Sequence, residues 1–186
     1  MTKVVLLGDS IRMNYAPYVP ELLGEGFEIW QPTENCRFSH YTLRGLFDWR
    51  AQMEGCDIVH WNNGLWDQCD LFDDGPFTDP DEYVKTMLRI AGILKKRAKV
   101  VIFATTTPVR PDNPHDANKR IDLFNSLLVP KLEAEGILID DLNALVKENL
   151  NENIRETDKL HLTETGAKRC AEQVAASIRS AAESLS

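Results

Sequence analysis

The sequence predicts an α/β fold, a three-layer α/β/α sandwich around a five-stranded parallel sheet. Three observations predict it. Five short apolar runs recur along the 186 residues, too short for helices and apolar enough for strands covered on both faces. Segments with apolar residues at helical spacing separate several of them. Each run also ends in a polar loop, as strands do before right-handed crossovers. Residues 1–186 read as a single domain, long enough for a real core, with the flavodoxin-like strand order 2-1-3-4-5 expected.

The first strand is Val4–Leu7, closed by Gly8-Asp9-Ser10. Phe27–Trp30 is the second, Asp57–Trp61 the third, Val100–Ala104 the fourth and Ile137–Ile139 the fifth. Leu43, Leu46, Phe47 and Met53 suggest a weak helix before the third strand. Val84, Met87, Leu88, Ala91 and Leu94 stripe a helix before the fourth. Ile121, Phe124, Leu128 and Leu132 stripe another after it, with Pro130 expected to bend the chain. Ala167, Cys170, Ala171, Val174, Ala175, Ile178 and Ala182 mark the last helix, and Thr163 is its expected N-cap.

Composition narrows the partners. Hydrophobic residues make up 43% and charged residues 27%, as in ordinary globular domains. The formal net charge of -8 lacks the basic footprint that nucleic acids and anionic membranes require, so neither is expected as a partner. The N-terminal apolar run is too short for a signal sequence, and no stretch is long enough to span a bilayer; the cytoplasm is the expected location. Cys36, Cys56, Cys69 and Cys170 form no Cys-x-x-Cys pair and are expected to be reduced. Cys36 and His40 repeat the spacing of Cys56 and His60. In a strand, however, four residues span roughly 13 Å, and the Cys36 segment reads as loop, so no metal site and no cofactor is expected.

In open parallel sheets, ligands bind beyond the carboxyl ends of the strands. The polar residues there are Gly8-Asp9-Ser10, then "PTENCRFSHYT" from Pro32, "NNGLWD" from Asn62, "TTTPVRP" from Thr105 and "TDKLHLTETG" from Thr157. Ser10, Asn63, Asp158 and His161 should therefore share one rim. A serine hydroxyl needs a base and a third group to orient that base. His161, three residues after Asp158, supplies both requirements. The Ser10 N–H and the Asn63 amide are the candidate donors for an oxyanion.

"LLGDSI", the Asn-bearing third block and "DKLH" together resemble the SGNH, or GDSL-like, hydrolases over nearly the whole chain. The resemblance implies an α/β/α fold and ester hydrolysis through an acyl-serine, without a metal. It makes Ser10 the nucleophile, His161 the base, Asp158 its orienting partner and Asn63 the oxyanion-hole asparagine. The middle blocks depart from the family. The usual Gly-x-Asn-Asp is replaced by Trp61-Asn62-Asn63-Gly64, and the second block has no glycine. Asn62 is therefore a substitute for Asn63 if the register slips by one, and a backbone N–H between Cys36 and His40 is the candidate second donor. Arg37 is a candidate substrate-binding residue. The departures mark a divergent subgroup with "NNGLWD" as its third block.

The expected substrate is a small-molecule ester with a short acyl group, such as acetyl on a carbohydrate, since Leu71 to Tyr83 is too polar for a lipid-binding cap. Lysophospholipase or thioesterase activity is an alternative on the same fold. So is a binding module without catalysis, or an FMN or phosphate binder using Gly8-Asp9-Ser10. Trp61, Trp66 and Phe72 are expected to pack under a loop, with the lining of an acyl or sugar pocket as the alternative, and His115 to be a solvated loop residue, with a substrate-facing role as the alternative. Asp70, Asp73 and Asp74 are expected on a solvated face. Arg12 and Arg110 are placed to meet an anionic substrate or these acids.

Overall fold

The structure, a computed structural model, describes residues 1–185. The chain forms β1 (Thr2–Leu7), α1 (Ser10–Tyr15), a 3-10 turn at Ala16–Tyr18, α2 (Val19–Leu23), β2 (Phe27–Trp30), α3 (Ser39–Asp48) and β3 (Cys56–Trp61). It continues through α4 (Leu65–Gln68), α5 (Pro80–Leu94), β4 (Ala98–Ala104), α6 (Asn118–Ala134) and β5 (Leu138–Asp140). The last elements are α7 (Leu142–Lys147), α8 (Leu150–Asn153) and α9 (Glu164–Glu183).

The five strands are all parallel and stand in the order β2-β1-β3-β4-β5, as expected. Successive strand side chains point to opposite faces, so β1 feeds two cores. Val4 and Leu6 join Ile58 and Ile102 under α1 and α9. Val5 and Leu7 join Val59, Trp61 and Phe103 under α3, α5 and α6. Both faces of the central strands are thus closed off from water. Leu7 pairs with Trp61, and Trp61 with Phe103, so the three central strands end level with one another. That shared edge is where the polar blocks emerge.

Local chemistry fixes the helix starts. Asp79 caps α5, its carboxylate accepting the Asp81 and Glu82 N–H groups, and Pro80 follows at the first helical position. The Thr163 hydroxyl caps α9 by accepting the Gly166 N–H at 3.0 Å, as the sequence suggests. One detail differs from expectation. The helix over Leu43–Met53 lies instead at Ser39–Asp48, and Met53 reaches the core from the turn that follows. α6 runs on through Pro130, with Leu128 and Leu132 buried on either side of it. The four cysteines are free and buried. Among the described residues, no helix is long and apolar enough to cross a membrane.

Candidate active site

β1 delivers Ser10 through a tight approach of backbone to side chain. A Cβ on Gly8 would stand 1.9 Å from Asn62 Oδ1 and 2.7 Å from Arg12 Cβ, so only glycine fits there. Asp9 caps α1: its Oδ1 accepts the Ile11 N–H at 2.9 Å and the Asn62 side-chain amide at 2.9 Å. Ser10 is therefore the first residue of α1, where a backbone N–H has no acceptor within the helix. Burial pushes the Asp9 carboxyl above its ordinary pKa, against the hydrogen bonds from Asn62 and Ile11 and the charge of Arg12. Its Oδ2 and the Asn62 Oδ1 are buried without a hydrogen-bond partner.

The other half of the site comes from the far end of the sequence. An antiparallel bridge between Ile154 and Leu162 closes a loop around Asp158 and His161. Lys159 holds a left-handed φ of 61° in that loop, secured by the Arg110 N–H donating to its carbonyl at 3.0 Å and by an ion pair with Asp112. The Leu162 N–H donates to Asn14 Oδ1 of α1 at 3.1 Å, tying the loop to the Ser10 helix. Asp158 Oδ1 accepts the Leu160 and His161 N–H groups at 3.0 and 2.8 Å. Its Oδ2 lies 3.2 Å from His161 Nδ1, and His161 Nε2 lies 2.8 Å from Ser10 Oγ, 151 residues away in sequence. With the ring proton on Nδ1 facing Asp158, Nε2 is free to accept the hydroxyl proton. Burial raises the Asp158 pKa, but the two backbone N–H groups and the imidazole outweigh it, and the carboxyl ends below its ordinary value.

The middle blocks support the rim from beneath. Asn63 is fully buried. Its Oδ1 accepts Trp61 Nε1–H at 2.7 Å and its amide donates to the Arg37 carbonyl at 2.8 Å, so one amide hydrogen stays uncommitted. Asn62 is turned onto Asp9. Arg37 adopts a left-handed φ of 50°, and its guanidinium lies over the Tyr41 ring at 5.0 Å. Its N–H donates to Asn35 Oδ1 at 2.7 Å. The Cys36 N–H donates to the Gly8 carbonyl and the Ser39 N–H to Asp67, so neither is free for a substrate oxygen. Asp67, which sequence reasoning passed over, accepts the Ser39 hydroxyl at 2.6 Å and the Thr78 hydroxyl at 2.9 Å and pins α3 beneath the third block.

A cavity of about 210 Å³ opens beside Ser10, walled by Leu65, Trp66, Cys69, Leu71 and Leu160. His115 and Asp116 complete its lining. His115 is exposed, as expected of a loop residue, yet it borders this cavity. The three aromatic residues part company. Trp61 is core, edge-on to Phe103 at 5.1 Å. Trp66, in α4, is 40% exposed and lines the cavity, and Phe72, in the loop that follows, is 74% exposed, so neither packs in the core. Arg12 and Arg110 also differ from expectation. The Arg12 guanidinium is buried on the Gln31 side chain and the carbonyls of Pro32 and Glu34, and Arg110 donates to the carbonyls of Asn151 and Ile154. Both hold backbone rather than acids. Asp73 and Asp74 are exposed.

A second imidazole was read from sequence only as half of a Cys–His spacing. His60 Nε2 lies 2.9 Å from Asp140 Oδ2 and Nδ1 lies 3.4 Å from the Tyr15 hydroxyl. Gln173 donates to Asp140 Oδ1 at 2.7 Å. The signal available was a histidine inside an apolar strand, which must find a partner when buried.

No protein-family model and no curated protein matches the sequence. Solved structures do match the fold. A lipase/acylhydrolase from Enterococcus faecalis superposes with a TM-score of 0.80 at 18% identity, covering 97% of this chain and 96% of that one. The acetylxylan esterase Axe2 from Geobacillus stearothermophilus gives 0.75 at 18% identity, over 95% and 94%. A GDSL-like lipase from Bacteroides thetaiotaomicron gives 0.73 at 18% identity, over 97% and 89%. The chain has the SGNH hydrolase fold.

Proposed function

We propose that this chain is a serine ester hydrolase that works through an acyl-serine, on short acyl groups such as acetyl carried by a carbohydrate or another small molecule. One observation carries the proposal: the 2.8 Å approach of His161 Nε2 to Ser10 Oγ, with Asp158 on the opposite ring nitrogen. Ser10 Oγ attacks the ester carbonyl while Nε2 takes its proton. The oxyanion is met by the Ser10 N–H and the uncommitted amide hydrogen of Asn63; one such donor is worth about 2.7–4 kcal/mol of barrier. The imidazolium, held by Asp158, protonates the departing alcohol, leaving acyl-Ser10. Water then attacks the acyl carbon, giving its proton to Nε2, and the acid leaves as Ser10 regains its hydrogen. Acetylxylan esterases and a carbohydrate acetylesterase among the structures of like fold support an acetyl ester as substrate.

The apolar wall of the cavity favours a second reading, in which the acyl chain is longer and the substrate a lysophospholipid or thioester. p-Nitrophenyl esters from acetate to decanoate, offered to the native chain and to Ser10→Ala and His161→Ala variants, separate the two. Turnover that peaks at acetate and vanishes in both variants supports the first reading. A peak at long chains supports the second. No turnover, together with no fluorophosphonate labelling of Ser10, removes both and leaves a non-catalytic binding module.

A further inference from the structure

We infer that Asp116 is a specificity-determining residue: it accepts a hydroxyl or amino hydrogen from the ester substituent seated beside Ser10, and it rejects substituents that carry an anion. The inference rests on the hydrolase reading and adds the substrate's chemistry. The cavity lining is largely apolar apart from Ser10, His115 and Asp116, so among the described residues Asp116 is the one acidic residue that borders whatever the cavity holds.

The carboxyl is firmly placed. The Asp116 N–H donates to Asn113 Oδ1 at 2.8 Å and its Oδ1 accepts Gln68 Nε2–H at 2.5 Å. Gln68 is fully buried and spends its other amide hydrogen on the Leu65 carbonyl, so it cannot swing away. Arg120, which could have neutralised the acid, instead donates to the carbonyls of Gln68 and His115 at 2.8 and 2.6 Å. Among the described residues, no Lys, Arg or His nitrogen forms an ion pair with Asp116. Burial accordingly lifts its pKa, against the Gln68 hydrogen bond and the more distant charges of Arg120, His115 and His161.

A carboxyl offers about four acceptor sites, and here one is filled. A partly desolvated carboxyl without a cation is costly for a fold to keep and marks a functional position when it borders a cleft. A hydroxyl or ammonium donor would complete its hydrogen bonding. A second carboxylate or a phosphate would meet it where water screens less than in bulk, and the like charges would repel.

Two matched ester series test this. One varies the acyl half on p-nitrophenol: butyrate, 3-hydroxybutyrate and succinate. The other varies the alcohol half of an acetate: propyl acetate, glyceryl monoacetate and O-acetyl lactate. The native chain, Asp116→Asn and Asp116→Ala are compared, with thermal unfolding to check each fold. Asparagine keeps an oxygen for the Gln68 bond, removes the charge and puts an NH2 donor, which a hydroxyl can still bond, in place of the second oxygen. In the series whose varied half fills the cavity, the native chain should favour the hydroxylated over the anionic ester by about tenfold or more in kcat/KM, expressed mainly in KM. Asp116→Asn should abolish the rejection of the anion and keep the preference for hydroxyl over plain alkyl; Asp116→Ala should lose both. Folded variants whose ratios match the native chain in both series overturn the inference while leaving the hydrolase intact. A native chain that cleaves no ester in either series overturns both.

Discussion

Two His–Asp pairs sit in this molecule, and their contrast separates chemistry from architecture. In each, one ring nitrogen faces a carboxylate and the other a hydroxyl. His161 stands between Asp158 and the Ser10 hydroxyl, with its side chain 29% exposed. His60 stands between Asp140 and the Tyr15 hydroxyl, with the pair sealed from solvent. Residue type alone makes both look like charge-orienting devices. What differs is access and the third partner. Ser10 borders a cavity that a substrate can enter. The Tyr15 hydroxyl is fully buried, and burial drives its pKa well above the ordinary phenol value. On the proposed function the outer pair moves a proton; the inner one fastens β3 and β5 to α1 and α9.

Substitutions can break or sharpen that contrast. The largest effect is expected at the outer pair's reaction axis. Ser10→Ala and His161→Ala should each lower kcat by about 10⁴-fold or more, while urea unfolding midpoints stay close to native. The inner pair should respond the opposite way. His60→Ala leaves Asp140 and Tyr15 buried without their partner, and breaking a buried pair costs about 3–5 kcal/mol; the molecules still folded should hydrolyse ester at near-native rate per active site. Next comes Asp158→Asn, which keeps the shape of the carboxyl but accepts the imidazolium charge poorly. Asp158 is partly exposed and water can share its task, so a loss in kcat of about 10²–10³-fold is expected. Thr163→Ala removes the α9 cap and should cost about 1 kcal/mol, read by thermal unfolding.

The smallest effect is one of pH. Asp9 titrates above its ordinary 3.8 when folded. Its contribution to stability is therefore complete below that value and is lost as pH rises through the raised folded pKa. Asp158 runs the other way, contributing above 3.8 and losing that as pH falls through its lowered value. Asp9→Asn keeps the oxygen that accepts from Ile11 and Asn62. Unfolding free energies of the two chains, followed upward from pH 3, should show the native chain losing stability relative to Asp9→Asn as Asp9 ionises.

The contrast also shows what the sequence discloses. Buried parallel strands read as apolar runs, so Val4–Leu7 and Val100–Ala104 announce themselves, and their alternation with helices implies a parallel sheet. That Ser10, Asp158 and His161 share one rim is legible because they lie in loops beyond the ends of strands, where a parallel sheet gathers them. Helices of four to six residues, such as α4 and α8, are too short to show a period. Asp67 was missed because its task is to hold the backbone of another block, and nothing in "NNGLWD" tells which segment will lie against it. Sequence left core and pocket open for Trp66 and Phe72, because aromatic residues look alike whether they cover a core, line a cavity as Trp66 does or face solvent as Phe72 does.

The hydrogen bond from Leu162 to Asn14 spans 148 positions, and that distance sets a timetable. Ser10 leaves the ribosome 151 positions ahead of His161. The contact between their side chains therefore cannot form until the closing loop and α9 settle against the sheet.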